Sequence, residues 1–155
     1  MEIRDIISPP AVVADLKATS KKQALQELAK RAQEVTGLAE RRIFDALLER
    51  ERLGTTGVGM GIAIPHAKLH ELDRLYGLFA RLAQPIDFDA IDDAPVDLLF
   101  LLLAPESAGA DHLKALARVS RLLRDKAMCA KLRGADNPDA LFALLIEPLP
   151  THTAA

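Results

Sequence analysis

The chain has 155 residues, half of them hydrophobic, and its 20 Lys and Arg against 22 Asp and Glu leave a formal net charge of −2. Such a length suits one domain with a sizeable core, and the balanced charge excludes the basic excess that a nucleic-acid backbone or an anionic membrane surface would need. One cysteine, Cys129, cannot close an internal disulfide; with no signal-like N-terminus and no apolar run long enough to span a bilayer, a cytoplasmic protein without direct membrane insertion is expected.

In chain order, Ile3–Ile7 reads as a turn of helix, Pro9-Pro10 as a break and Ala11–Ala14 as a brief strand. Ser20 opens the first long helix. Gln23, three residues on, predicts a capping box, and Leu25, Leu28, Ala29, Ala32 and Val35 recur at helical spacing until Gly37. A second helix spans about 40–53, with Ile43, Phe44, Leu47 and Leu48 as its apolar stripe and Glu49-Arg-Glu-Arg52 near its C-terminus.

The stretch Gly54-Thr-Thr-Gly-Val-Gly-Met-Gly-Ile-Ala-Ile-Pro-His-Ala-Lys-Leu69 is the most informative. Its glycines permit positive φ and close backbone approach. Ile62-Ala-Ile64 has the character of a buried strand, and Pro65 ends or edges it. The next residue, His66, is thus presented at a rigid strand end. Further on, 75–83 and 96–104 read as strands, the second apolar on both faces like an interior strand. The acidic loop 87–95 between them reads as solvated surface. Helices are predicted at about 109–124, with Leu113, Leu116, Ala117, Val119, Leu122 and Leu123 as its stripe, at 126–133, and at 138–146 capped by Asn137. From about residue 148 the tail is expected to fray. The pattern gives an α/β class: a single three-layer domain over residues 1–155, with a short mixed sheet and helices on both faces.

His66 and His70 are four apart, a zinc-like spacing on a helix, but Pro65 and the strand pattern oppose a helix there and no third ligand stands at a zinc spacing. No metal is therefore expected. The glycine-rich stretch lacks the Lys-Ser/Thr of a phosphate-binding P-loop, and a strand follows it where a dinucleotide fingerprint needs a helix. A lone histidine at a strand end is commonly structural. Loop N–H groups, a nearby cation and a helix N-terminus together are what a dianionic phosphoryl group needs.

Glu49-Arg-Glu-Arg-Leu-Gly54, the stretch through Leu69, residues 85–93, Pro95-Val-Asp-Leu-Leu-Phe100 and Asp111-His-Leu113 resemble the mannitol/fructose-type enzyme IIA domains of the bacterial phosphoenolpyruvate-dependent phosphotransferase system, most closely the stand-alone nitrogen-regulatory type. The resemblance implies that His66 is the phosphorylated nucleophile, attacking through Nε2 with Nδ1–H held by a partner the sequence does not identify. It implies that Arg50 stabilises the phosphoryl charge, although helical spacing alone does not choose between Arg50 and Arg52. His112 matches a second active-site histidine, with a helix-surface role as the alternative. Gly59, Met60 and Gly61 are expected to add backbone N–H groups as a phosphoryl-binding loop. Met60 stands where many relatives are polar, and Lys114 where some have another histidine.

No cofactor is implied. The implied partners are a histidine-containing phosphocarrier protein (HPr or its nitrogen-branch paralogue), docking on an apolar ring of residues such as Val58, Met60 and Leu113, and regulatory target proteins read by phosphorylation state in nitrogen and potassium metabolism. A sugar-specific enzyme IIA that passes phosphate to a IIB domain is the alternative, and a non-catalytic interaction module or a metal-binding protein is the alternative of another class.

Overall fold

A computed structural model describes residues 1–147; the tail expected to fray from 148 lies outside the described residues. Six strands form one mixed sheet: β1 (Val12–Leu16), β2 (Gly57–Gly59), β3 (Ile62–Ala63), β4 (His66–Lys68), β5 (Tyr76–Ile86) and β6 (Val96–Ala104). Their order is β1-β5-β6-β3-β2, and β4 also pairs with β6. β5 runs antiparallel to β6, whereas β3 and β4 run parallel to it. Residues 98–104 of β6 are buried on both faces, as the uninterrupted apolar run requires.

Among the described residues five α-helices cover the sheet: α1 (Lys21–Thr36), α2 (Glu40–Arg52), α3 (Ala110–Arg124), α4 (Lys126–Gly134) and α5 (Pro138–Ile146). α1 packs on α2, while α3, α4 and α5 pack in succession on one another, so the two groups supply the outer layers of a three-layer α/β fold. Among the described residues no helix is long and apolar enough to cross a membrane.

The caps follow from local chemistry, with one change. Ser20 Oγ accepts the Gln23 N–H at 3.1 Å, but the Gln23 side chain reaches back to the Thr19 N–H at 2.6 Å and not to that of Ser20. The expected reciprocal box is therefore offset by one residue. Gly37, at φ 79°, ends α1 in the left-handed region, and Asn137 Oδ1 accepts the Ala140 N–H to start α5.

Three expectations about packing need correction. β3 stops at Ala63, and His66 opens a new strand, where the sequence placed it just beyond the end of one. Pro65 has no N–H and so interrupts the ladder, but its carbonyl still accepts the Leu102 N–H at 2.9 Å and pairing with β6 resumes at once. In α3 the buried stripe is His112, Ala115, Val119, Leu122 and Leu123, so the inward face is rotated: Leu113 is 69% exposed and Ala117 lies outside, while a histidine leads the core side. The acidic loop is not simply solvated, since Phe88 and Ala90 are buried and its Asp92 carboxylate accepts the N–H groups of Met60 and Ala94.

Candidate functional site

The loop after α2 turns the chain back so that β4 runs beneath the C-terminal turn of α2. This brings Arg50 to His66: Arg50 Nε donates to His66 Nε2 at 3.3 Å, and Arg50 Nη1 donates to the Gly54 carbonyl at 3.1 Å. The other ring nitrogen, Nδ1, lies 2.9 Å from the Ile64 carbonyl oxygen. A carbonyl can only accept, so Nδ1 carries the proton and Nε2 keeps its lone pair. The tautomer is thus set by a backbone group two residues upstream. A carbonyl leaves no signature in sequence, which is why that partner could not be named.

His112 enters from the first turn of α3. Its ring meets that of His66 edge-on, centroids 5.7 Å apart at 85°. It is 6% exposed, and neither ring nitrogen has a hydrogen-bond partner among the described residues. Buried polar atoms are ordinarily satisfied, so an unpartnered imidazole beside a second imidazole marks a place where a ligand's oxygens would find a donor. The first turn of a helix also favours the neutral ring. His66, Arg50 and His112 line one cleft of about 460 Å³ together with Leu53, Lys68 and Arg42. Lys68 is a cleft cation that the sequence reading did not assign.

Both imidazoles titrate below the ordinary histidine value. For His66 burial is the main cause, opposed by the bond to the Ile64 carbonyl and reinforced by the Arg50 charge. For His112 burial again leads, followed by the repulsion that a protonated His66 would exert and by the charge of Lys68. Each ring is therefore held uncharged, which leaves His66 Nε2 nucleophilic.

The loop Gly59–Gly61 is not brought to this cleft. β3 pairs Ile62 with Leu98 whereas β4 pairs His66 with Leu102, four residues along β6, or roughly 13 Å. The Met60 N–H, expected to be free for an anion, donates to Asp92 Oδ2 at 2.9 Å, and the Met60 carbonyl accepts from Arg133 Nη2 at 3.1 Å. Arg133 is itself paired through two nitrogens with Asp97. Gly61 is required there: at φ 82°, a Cβ would lie 2.6 Å from Arg133 Nη2. Val58 and Met60 remain half exposed, but over a separate recess with Ile64 and Leu123. His70 stands beside Glu71 on an exposed turn.

The family model for the phosphoenolpyruvate-dependent sugar phosphotransferase system EIIA 2 matches residues 5–147. The chain belongs to this family. Similar proteins include a nitrogen regulatory protein of Bradyrhizobium diazoefficiens, 58% identical over all of both chains. A fructose-specific EIIA component of Haloferax volcanii is 47% identical over 67% of this chain and 68% of that one. Among solved structures, the nitrogen regulatory protein IIA-Ntr of Neisseria meningitidis superposes with a TM-score of 0.87 at 33% identity, covering 92% of this chain and 98% of its own. The three-layer architecture is thus the EIIA fold.

Proposed function

We propose that this EIIA chain is a phosphoryl carrier that takes a phosphoryl group on His66 Nε2 from a phosphohistidine carrier protein. The observation that carries the reading is the pairing of His66: Nδ1–H on the Ile64 carbonyl, Nε2 against the Arg50 guanidinium. In the reaction the Nε2 lone pair forms a bond to phosphorus as the phosphorus–nitrogen bond of the donor's imidazole breaks. The proton on Nδ1 stays, so the phosphorylated ring is cationic and the Ile64 carbonyl faces that charge. Arg50 shifts its donors from Nε2 to the equatorial oxygens, and His112 donates one hydrogen bond to another. Placement and charge stabilisation do the work, as is general for phosphoryl transfer. No metal or organic cofactor enters this scheme.

The similarity to nitrogen regulatory proteins over the full length supports a regulator, whose targets read a phosphoryl dianion on a cationic ring, a net change of about −1 in charge at one surface point. The donor is then HPr or its nitrogen-branch paralogue, docking transiently on exposed Leu53 and Leu113 beside the cleft. The match over residues 5–147 supports treating the chain as one EIIA domain, and the single thiol supports a cytoplasmic setting. The fructose-specific relative favours a second reading, in which a IIB domain accepts the phosphate.

Incubation with phosphoenolpyruvate, enzyme I and the carrier protein is expected to add one acid-labile, base-stable phosphate, absent in His66→Ala. Unaltered labelling of that variant would overturn the assignment. Rapid onward transfer to a IIB domain would favour the sugar-specific reading over the regulatory one.

A further inference from the structure

One buried charged side chain has no part in the scheme above. Glu51 follows Arg50 on α2 but points the other way, into the core, where it takes the place in the buried stripe after Ile43, Phe44 and Leu47. Its Oε1 accepts the Thr56 N–H at 3.0 Å and pairs with Lys21 Nζ, from the start of α1, at 3.1 Å. Thr56 is itself buried, and its carbonyl accepts the Ile64 N–H at 3.0 Å. The carbonyl of that same Ile64 receives His66 Nδ1–H. A continuous series of bonds therefore runs from Lys21 through Glu51, Thr56 and Ile64 to the imidazole.

We propose that Glu51 is a positioning residue for His66: its buried carboxylate fixes the segment that carries the Ile64 carbonyl, and with it the tautomer of the ring. The proposal rests on the reading of His66 as the phosphoryl acceptor. Physically, a carboxylate is suited to the task because it binds an N–H and an ammonium at once, and because burial makes any other placement of it costly. Glu51 also closes the last turn of α2, where its carbonyl accepts the Gly54 N–H at 3.2 Å, so the residue that orients His66 sits next to the one that contacts Nε2. Its negative charge raises the affinity of the His66 ring for a proton, against the larger effect of burial. A ring that becomes cationic on phosphorylation benefits from the same field. The other titratable or charged groups that face that ring are Arg50 from α2 and the neutral His112 from α3, with Lys68 from β4, Arg42, Glu49 and Glu106 also lining the cleft. Lys21 in turn has Asp89 at 3.7 Å.

The test uses the full chain with Glu51→Gln, Glu51→Ala and Lys21→Gln, reading the His66 ring by 15N NMR and phosphoryl acceptance by single-turnover kinetics. Glu51→Gln keeps an acceptor for Thr56 but loses the charge; it is expected to retain the Nδ1–H tautomer and to titrate at lower pH. Lys21→Gln unmasks the carboxylate and is expected to shift the titration the opposite way. Glu51→Ala is expected to give mixed tautomers and about tenfold slower acceptance, the loss of roughly one well-placed hydrogen bond. A general loss of packing would not move Glu51→Gln and Lys21→Gln in opposite directions. A folded Glu51→Ala with a single wild-type tautomer overturns the proposal. Should that variant fail to fold, absent or like-signed shifts in the other two overturn it. The ring readings need no donor protein, so a wild-type chain that accepts no phosphate would instead count against the functional reading.

Discussion

Replacing Arg50 by alanine sets two effects against each other. In the resting site the guanidinium donates to the Nε2 lone pair at 3.3 Å, a bond to a neutral acceptor with a net value of about 1 kcal/mol. That bond must break before Nε2 can attack. Against a dianionic phosphoryl oxygen the same donor contributes about 1.5–3 kcal/mol. The anchor of Nη1 on the Gly54 carbonyl keeps the fork nearby during the exchange. The difference, about 0.5–2 kcal/mol, predicts acceptance slowed by roughly two- to thirtyfold in Arg50→Ala. The Arg50 charge lowers the His66 titration, so the variant's imidazole becomes more basic while its reaction slows. Single-turnover transfer from a phosphorylated carrier, measured near pH 8 where the ring is uncharged in both proteins, separates the two. Equal or faster transfer, alongside the upward shift, would mean that Arg50 merely restrains the nucleophile and does not hold the phosphoryl group.

For His112, substitution by leucine removes two buried polar atoms that have no partner among the described residues while keeping most of the volume. The melting temperature is expected to stay level or rise, and phosphoryl acceptance to fall about tenfold; a lower melting point with undiminished transfer would make the residue structural. The depressed titrations of His66 and His112 also fix the sign of the pH dependence. Where the folded values lie below the unfolded ones, the unfolded chain binds more protons. Stability is then fully present above the ordinary histidine value near 6.5 and is lost as pH falls from there through the folded values. Thermal melts between pH 7.5 and 5 are expected to show that decline, shallower in His112→Leu, and a flat profile would contradict buried neutral rings.

Most helices and the long strands were legible because their signals are local. The Gly37 stop, the Asn137 cap and the unbroken run of β6 each act within a few residues of chain. Where the reading failed, contacts distant in sequence decided the outcome. Leu113 and His112 compete for the inward face of α3, and periodicity favours the leucine; the histidine lies inward instead, toward the His66 cleft, so the more apolar residue is left exposed. Arg81 is a similar case. From an interior strand its Nη1 donates to the carbonyls of Leu132 and Ala135, 51 and 54 residues away, and so caps the end of α4.

The loop Gly59–Gly61 shows the limit most clearly. Its glycines and its nearness in sequence to His66 both pointed to phosphate binding, yet a parallel strand pair carries the chain away at about 3.3 Å per residue. Two acidic residues about thirty positions on, Asp92 in the loop before β6 and Asp97 at the start of β6, decide what the loop's backbone binds, Asp92 through its carboxylate and Asp97 through its N–H and through Arg133. Two cations of the cleft, Arg50 on the imidazole itself and Lys68 beside it in the lining, flank that loop in sequence, one before it and one after. Glycine richness beside a catalytic histidine therefore marks a turn that folds two flanking segments together, and the anion site forms where those segments meet.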